Sequence, residues 1–202
     1  MAAYQRSKSS RLANNLPDEK HLNPALLSTK GGALDDFDAF FEVYWPRILG
    51  VLDRLVGDPD EAEDLALEAF LKLYQAKDRL GSEDNPGGWL YRVAMNLGLN
   101  ALRGRYRRKW YEILSGRSAL ESAAPLSPPA AAESAEERRQ VQHVLAELQP
   151  RSSQLLVLRS AGLSYQELAE TLQVGLSSVG SLLNRAEKEF EKRYRSLYGK
   201  LE

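Results

Sequence analysis

Apolar residues recur every three or four positions through most of the chain after residue 34, which predicts α-helices. The clearest case is residues 85–112. One face of this helix carries the apolar side chains Leu90, Val93, Ala94, Leu97 and Ala101, and that spacing places them against a core. We therefore predict an all-α fold of two small helical domains joined by a flexible linker, the C-terminal domain being a helix-turn-helix.

A second face of the same helix is polar. It carries the side chains that we name the polar stripe: Arg92, Asn96, Asn100, Arg103 and Arg107. Asparagine amides both donate and accept hydrogen bonds, so they can read base edges. Five of the seven residues 103–109 are Arg or Lys, with Tyr106 inside this run and Trp110 and Tyr111 just after it. Cations mixed with aromatics favour single-stranded nucleic acid as a ligand, although a solvated helix face ending in a basic tail gives the same pattern.

Two helices are predicted before this one. The first follows residue 34, with Asp35 and Asp36 available as caps, and Pro46 should kink it or split it in two. The second covers residues 59–76. Asp58 is its expected N-cap, and Glu61 is expected to close a capping box.

The helix over 59–76 carries an apolar strip bordered by carboxylates. We name Leu67, Leu71 and Tyr74 the docking strip; the acidic residues beside it are Glu61, Glu63, Asp64 and Glu68. Such a combination is typical of a surface that binds a basic partner helix. Burial of a second helix face within the same domain explains the apolar residues equally well.

Residues 115–133 lose the helical period and gather Ala, Ser and Pro, which indicates a linker. The second domain is expected over 134–202, with a capping box of Ser134 and Glu137 at its start. Residues 1–33 are polar and are expected to be disordered until something binds them. The first domain accordingly spans 34–114.

The second domain follows the helix-turn-helix plan. A helix of about two turns over 165–172, opened by Ser164 and Glu167, is followed by a tight connection and a long helix from about residue 177. The long helix would enter the major groove of DNA with side chains of its first turns. These candidates are Ser177, Ser178, Ser181, Asn184 and Arg185, with Lys188 directed at phosphate. An ordinary helical hairpin has the same spacing.

Charge is divided unevenly along the chain, although the formal net charge is only -1. Residues 34–84 contain 14 acidic and 5 basic residues, whereas residues 85–117 contain 1 acidic and 7 basic residues. This asymmetry indicates two different partners, one a cationic protein and one a polyanion. We expect a soluble, unsecreted protein of the cytoplasm, because residues 1–32 lack the apolar segment of a signal peptide and no stretch approaches 18 apolar residues.

Catalytic chemistry has little support in the composition. The chain has no cysteine and only two histidines, His21 and His143, which excludes disulfides and thiolate metal sites. His143 is expected to be a surface or interface residue. There is no glycine-rich phosphate loop and no plausible nucleophile with a base. We therefore predict no catalytic residue, no metal and no cofactor.

Three segments together resemble the bacterial extracytoplasmic-function (ECF) sigma factors, members of the primary sigma superfamily, over about four fifths of the chain. They are DPDEAEDLALEAFLKLY at 58–74, WLYRVAMNLGLNALRGRYRR at 89–108, and LQPRSSQLLVLRSAGLSYQELAETLQVGLSSVGSLLNRAEK at 148–188. The resemblance implies a non-enzymatic subunit that binds core RNA polymerase and promoter DNA and that an anti-sigma factor restrains.

The resemblance also implies roles for each part. The 59–76 helix would bind core polymerase through the docking strip and its acidic border. The 85–112 helix would read and help melt the minus-ten element through Trp89, Arg92, Asn96, Asn100, Arg103, Arg105 and Arg107. The long C-terminal helix would read the minus-thirty-five element.

Several residues depart from the pattern of that family. Leu67 stands where Gln is usual, and Met95 stands where Arg is usual. In the last helix, Gly180, Leu182 and Glu187 replace the usual Lys, Arg and Arg, and Gln173 replaces the turn glycine. Because these changes remove cationic charge from the groove-entering helix, we expect the first domain to dominate DNA binding.

Two other functions fit parts of the sequence. A stand-alone helix-turn-helix repressor with an N-terminal sensing or dimerisation domain would bind duplex DNA alone, whereas a sigma factor would co-purify with core polymerase. A recombinase or nuclease is weaker, because the sequence shows no clustered carboxylate or serine site.

Overall fold

The computed structural model describes residues 36–80, 85–115 and 129–199, with side chains described from 134 onward in the last range. The sequence predictions for residues 1–35 and 116–128 lie outside this part of the chain. All regular elements in the described ranges are helices: α1 Phe37–Val56, α2 Pro59–Ala76, a 3₁₀ turn Lys77–Arg79, α3 Pro86–Leu114, α4 Pro129–Glu147, α5 Pro150–Ser160, α6 Tyr165–Leu172 and α7 Leu176–Tyr198.

Helix α1 is continuous, so the expectation that Pro46 splits it is wrong. Pro46 is exposed on its surface. Water can therefore pair the carbonyl that the proline leaves without an N–H donor. Asp36 caps the helix, accepting from the Ala39 amide at 2.9 Å, and Gly57 ends it in the left-handed conformation at φ 69°.

Helix α2 begins as predicted, but without the predicted capping box. Asp58 accepts from the amides of Asp60 and Glu61, each at 3.1 Å. The Glu61 carboxylate does not return to the cap; it forms an ion pair with Arg105 of α3 instead. A guanidinium within reach offers that carboxylate a charged donor, which outcompetes a backbone amide.

Helices α1, α2 and α3 form the N-terminal bundle, and two glycines of α3 set how closely it packs on α1. A Cβ at Gly87 would overlap the hydroxyl of Tyr44. A Cβ at Gly98 would lie 2.6 Å from Leu55 and 2.9 Å from Leu52. Because contacts this short are not tolerated, only glycine permits this approach.

Helices α4 to α7 form the C-terminal bundle, and α4 begins earlier than predicted. It starts at Pro129, so Ser134 lies inside the helix and is not its N-cap. Pro129 is suited to the first helical position and three alanines follow it, so local propensity favours helix here. The range 115–133 assigned to the linker therefore includes the start of α4.

The helix-turn-helix of the C-terminal bundle consists of α6, a short connection and α7. The predicted capping box at Ser164 is present: its hydroxyl accepts from the Glu167 amide at 3.3 Å, and the Glu167 carboxylate accepts from the Ser164 amide at 2.5 Å. Val179, Leu183 and Ala186 are the buried residues of α7.

The two bundles pack against each other. Helix α3 contacts α4, α5 and α6, and the buried apolar side chains of both bundles form one connected cluster. In this arrangement part of the polar stripe of α3 contacts the C-terminal bundle, and the rest of it is exposed to solvent.

We predict that Gln173→Gly stabilises the protein. Gln173 ends α6 at φ 53°, a left-handed conformation that glycine adopts without strain. The free energy of unfolding should rise by about 1 kcal/mol in chemical denaturation. The matched control is Gln166→Gly, which places glycine inside α6 and should lower it by about 1 kcal/mol. A loss of stability in Gln173→Gly would contradict this account of the turn.

Candidate functional site

Helix α3 is the central element of the site. Asn85 caps it by accepting from the Gly88 amide at 2.7 Å, and Pro86 occupies its first turn. Of the predicted apolar stripe, Leu90 and Ala94 are buried, whereas Val93, Leu97 and Ala101 are half-buried. The buried face also includes Leu99 and Leu102, which the stripe did not contain. This burial fixes the rotation of the helix and directs the polar stripe toward α4, α5 and α6.

Arg103 of the polar stripe binds the carboxyl-terminal end of α4. Its Nε donates to the carbonyl of Ala146 and its Nη2 to the carbonyl of Leu148, both at 3.0 Å. The last carbonyls of a helix have no donor within the helix and carry the negative end of its dipole. The planar fork of a guanidinium fits two such acceptors at once.

Two more arginines bind the ends of the neighbouring helices. Arg92 donates to the carbonyl of Thr171 at the end of α6, at 2.6 Å. Arg54 of α1 lies 3.4 Å from the carbonyl of Ser160, the last residue of α5. Three helices of the C-terminal bundle therefore end on arginines of the N-terminal bundle.

Amide side chains behave unequally within the polar stripe. Asn96 accepts from the Gln154 amide of α5 at 2.8 Å, so its carbonyl oxygen is occupied. Asn100 is exposed, and no hydrogen bond of its side chain is found within the described residues. Both side chains are exposed, so in the closed protein Asn100 offers a ligand its whole amide and Asn96 offers the part that Gln154 does not occupy.

Tyr106 joins the two bundles through a ring contact and a hydrogen bond. Its ring stacks on His143 of α4 with centroids 4.5 Å apart, and its hydroxyl donates to the carbonyl of Arg139 at 2.7 Å. Burial raises the pKa of Tyr106 to about 12, so the hydroxyl remains a donor at neutral pH. His143 was expected to be a surface or an interface residue, and the structure places it in the interface between the bundles. Its Nδ1 also lies at hydrogen-bonding distance, 2.5 Å, from the Tyr198 hydroxyl.

The remaining minus-ten candidates are placed differently. Arg105 donates to the carbonyl of Val56 at the end of α1, at 2.8 Å, and pairs with Glu61. Both side chains therefore support the N-terminal bundle, although the sequence assigned one to DNA and the other to polymerase. Trp89 is half-buried against the core, whereas Arg107 is exposed.

The docking strip lies open on α2. Leu71 is 55% exposed, and Leu67 and Tyr74 are about half exposed. The Lys77 ammonium lies 4.2 Å from the centroid of the Tyr74 ring. Glu63, Asp64 and Glu68 are exposed beside the strip, and Glu68 pairs with Lys72 at 3.2 Å. The alternative of a second buried face is excluded for these apolar residues within the described chain.

The helix-turn-helix also faces solvent. All six minus-thirty-five candidates, Ser177, Ser178, Ser181, Asn184, Arg185 and Lys188, are exposed. Four of the residues on this face, together with Gly180, line one shallow depression: Ser181, Asn184, Arg185 and Lys188. Met95, by contrast, is fully buried, so this position of α3 contributes to the core.

Neither a membrane span nor a metal cluster is found in the described chain. No helix within the ranges 36–80, 85–115 and 129–199 is long and apolar enough to cross a membrane. The same residues contain no group of three or more His, Asp or Glu side chains placed to hold a metal ion.

Sequence reasoning missed the acceptors of the site. The carbonyls of Ala146, Leu148 and Thr171 belong to the main chain, and no side-chain pattern identifies them. The one available signal was positional, because predicted helix ends present unpaired carbonyls that attract cations.

Comparisons with known proteins follow the same division into two bundles. The family model described as sigma-70 region 2 matches residues 40–108, and that described as sigma-70 region 4 matches residues 138–190. The RNA polymerase sigma-H factor of Pseudomonas aeruginosa is 32% identical over 170 residues, which cover 80% of this chain and 87% of that protein. The ECF RNA polymerase sigma factor SigW of Bacillus subtilis is 26% identical over 89% of this chain and 100% of its own length.

One solved structure is also similar, the sigma factor RpoE of Bartonella quintana in complex with the anti-sigma factor NepR. It has 18% sequence identity and a TM-score of 0.46, over 80% of this chain and 98% of that one.

We predict that Arg103→Ala weakens the contact between the two bundles in the free protein and so raises the population of open molecules. The change removes both donors to the end of α4, whereas Arg107→Ala removes the same charge from an exposed position and serves as the control. Resonance energy transfer between labels placed on α2 and α7 should fall for Arg103→Ala and remain at the wild-type value for Arg107→Ala. The same transfer efficiency in both variants would contradict a closing role for Arg103.

Proposed function

Because the chain belongs to the sigma-70 family of RNA polymerase sigma factors, in its ECF branch, we propose that the free protein keeps its own minus-ten reading helix closed. As a sigma factor it directs promoter-specific initiation by binding core RNA polymerase and promoter DNA. A stand-alone repressor is not favoured, since both sigma regions are matched in order along the chain. We infer that the protein acts in the cytoplasm and has no catalytic chemistry of its own.

The observation that carries the proposal is the contact of the polar stripe with helix ends. Arg92 and Arg103 donate to main-chain oxygens of the C-terminal bundle, and we propose that phosphate oxygens of promoter DNA take the place of these acceptors. Asn96 is held by Gln154 in the same way. DNA and the C-terminal bundle therefore compete for the same donors, and promoter melting requires the bundles to separate.

The closed arrangement leaves the other two binding surfaces accessible. The docking strip on α2 and the candidate residues of α7 are exposed. We propose that core polymerase binds the docking strip first and that opening of the bundles follows. Each hydrogen bond to a charged group contributes about 1.5–3 kcal/mol, and opening must also expose the part of the apolar cluster shared by the bundles. Partner binding can shift this equilibrium only by as much as its affinities for the open and closed forms differ.

We assign the core polymerase surface to Glu63, Asp64, Leu67, Glu68, Leu71 and Tyr74. Glu61 was also a candidate, but its pairing with Arg105 supports a structural role. An anti-sigma factor would restrain this protein either by covering the docking strip or by holding the bundles together. Either mode adds to a closure that the chain already possesses.

We predict that Leu71→Asp or Glu68→Lys weakens binding to core polymerase. The first change places a carboxylate in the exposed strip, and the second reverses a charge at its border. Either should cost about 1–3 kcal/mol of binding free energy in a titration of core enzyme. Glu187→Lys makes the same charge reversal at an exposed position on α7, outside the helix that carries the strip, and should bind normally. Wild-type affinity in a folded Leu71→Asp variant would remove α2 as the docking element.

We also predict that α3 contributes more phosphate contacts than α7 in the open complex. Residues 85–117 carry 7 basic and 1 acidic residues, whereas residues 141–202 carry 8 basic and 7 acidic. Let K be the equilibrium constant for open-complex formation. Each contact with a single-strand phosphate contributes roughly 0.7 to the slope of log K against log salt, so replacing Arg103 and Arg107 with Ala should flatten that slope by about 1.4. The matched variant on α7 replaces Lys188 and Lys192 with Ala, and it should change the slope by less than the arginine replacements do.

The measurement is open-complex formation by reconstituted holoenzyme across a salt series. Arg105 is left intact in both variants, because its bonds to Val56 and Glu61 support the N-terminal bundle. A larger change from the lysine pair would place the main DNA contact on α7.

A further inference from the structure

The polar stripe of α3 continues beyond the region that the C-terminal bundle covers. After Arg103 and Arg107 the same helical spacing reaches Trp110 and Leu114. Tyr106 is half-buried against His143, but Trp110, one turn later, is 61% exposed. The last two turns of α3 are therefore a continuous exposed stretch of this helix, whereas nearer its start only single residues of the polar stripe, Asn96 and Asn100, are exposed.

This uncovered end combines cations with aromatic rings. Arg107, Arg108 and Lys109 are consecutive and exposed, and Trp110 and Tyr111 follow directly, the latter 63% exposed. Within the described residues, no hydrogen bond, ion pair or ring contact is found for these five side chains. Exposed apolar ring surface is unfavourable in water. A ligand that covers both rings would gain the free energy of burying that surface.

We propose that residues 107–111 form an entry site at which single-stranded DNA binds the closed protein. Phosphates would pair with the three cations, and unstacked bases would lie on the rings of Trp110 and Tyr111. This inference rests on the proposed function of α3 as the minus-ten reading helix and extends it to two aromatic residues outside that assignment.

Charge decides between DNA and a protein as the occupant. Arg, Trp and Tyr are also enriched at protein interfaces, but a protein interface is depleted of charge at its centre. Three adjacent cations beside two rings suit a polyanion with flat bases better. A duplex supplies the phosphates but keeps its base faces stacked inside. Only a single strand satisfies both halves of the surface.

The position of the site gives it a role in opening. Trp110 lies one helical turn from Tyr106 and two turns from Arg103, both of which hold the C-terminal bundle. A strand bound at residues 107–111 would have its next phosphates beside these residues. DNA would then replace the C-terminal bundle stepwise along α3, without the bundles first separating completely.

The test is the affinity of the free full-length chain for a labelled ten-nucleotide single strand of no promoter sequence, measured by fluorescence anisotropy. Trp110→Ala should weaken binding roughly tenfold, as expected for the loss of one base–ring stack. Ile113→Ala is the matched control, because this residue is 51% exposed on the same two turns but has no ring. It should bind as the wild type does. Circular dichroism of both variants checks that α3 remains folded.

A duplex of the same sequence separates stacking from charge. Trp110→Ala should leave the affinity for the duplex unchanged, while Lys109→Ala should lower the affinity for both the single strand and the duplex. Equal single-strand affinity of Trp110→Ala and wild type would overturn the entry site, as would equal losses in Trp110→Ala and Ile113→Ala. Self-association of the wild type that Trp110→Ala abolishes would identify the surface as a contact between copies and would also overturn it.

Failure of the entry site can be told apart from failure of the proposed function. If the free chain binds no single strand while the holoenzyme still loses promoter opening with Arg103 and Arg107 replaced, only the entry site fails. If those arginine replacements leave opening intact, the assignment of α3 fails as well.

Discussion

The hydrogen bonding of guanidinium groups to helix ends governs the arrangement of this protein. Arg92, Arg103 and Arg105 of α3 each donate to a carbonyl near the end of another helix, and Arg54 approaches a fourth. A guanidinium that is always charged must keep oxygen acceptors around it. The last turn of a helix supplies them together with a partial negative charge. One kind of contact therefore secures α3 both within its own bundle and against the other.

This choice of acceptor makes closure compatible with later DNA binding. A carboxylate partner would hold an arginine more strongly than a neutral carbonyl does. Arg105 pairs with the Glu61 carboxylate of its own bundle, whereas Arg103 donates to two main-chain carbonyls of the other bundle. The contacts between bundles include main-chain oxygens, an amide pair, the Tyr106–His143 stack and part of the shared apolar cluster. Their sum favours the closed form while leaving phosphate a stronger competitor.

Local signals in the sequence predicted most of the fold, whereas the site depended on contacts between distant segments. Asp58 and the Ser164–Glu167 box act within four residues, so their caps could be read directly. The exposure of the docking strip was left open by the sequence, because an apolar second stripe fits a buried face and an open one equally well; the structure shows it exposed. The pairing of Glu61 with Arg105 joins residues 44 positions apart, and no periodicity encodes it. The start of α4 at Pro129 was missed because an Ala- and Pro-rich composition indicates linker and helix start alike.

The acceptors for Arg92 and Arg103 are main-chain atoms, and every residue type at positions 146, 148 and 171 would present the same oxygen. The hydrogen bonds of Arg92 and Arg103 therefore place little demand on side-chain identity at these three positions, whereas the Asn96–Gln154 pair and the Tyr106–His143 stack depend on it. The exposed face of α7 can drift toward new promoter sequences, as its Gly180 and Glu187 illustrate, while closure is retained from one descendant to the next. Divergence of the regulon and persistence of self-restraint are thus separable in evolution, since they draw on different atoms of the same helices.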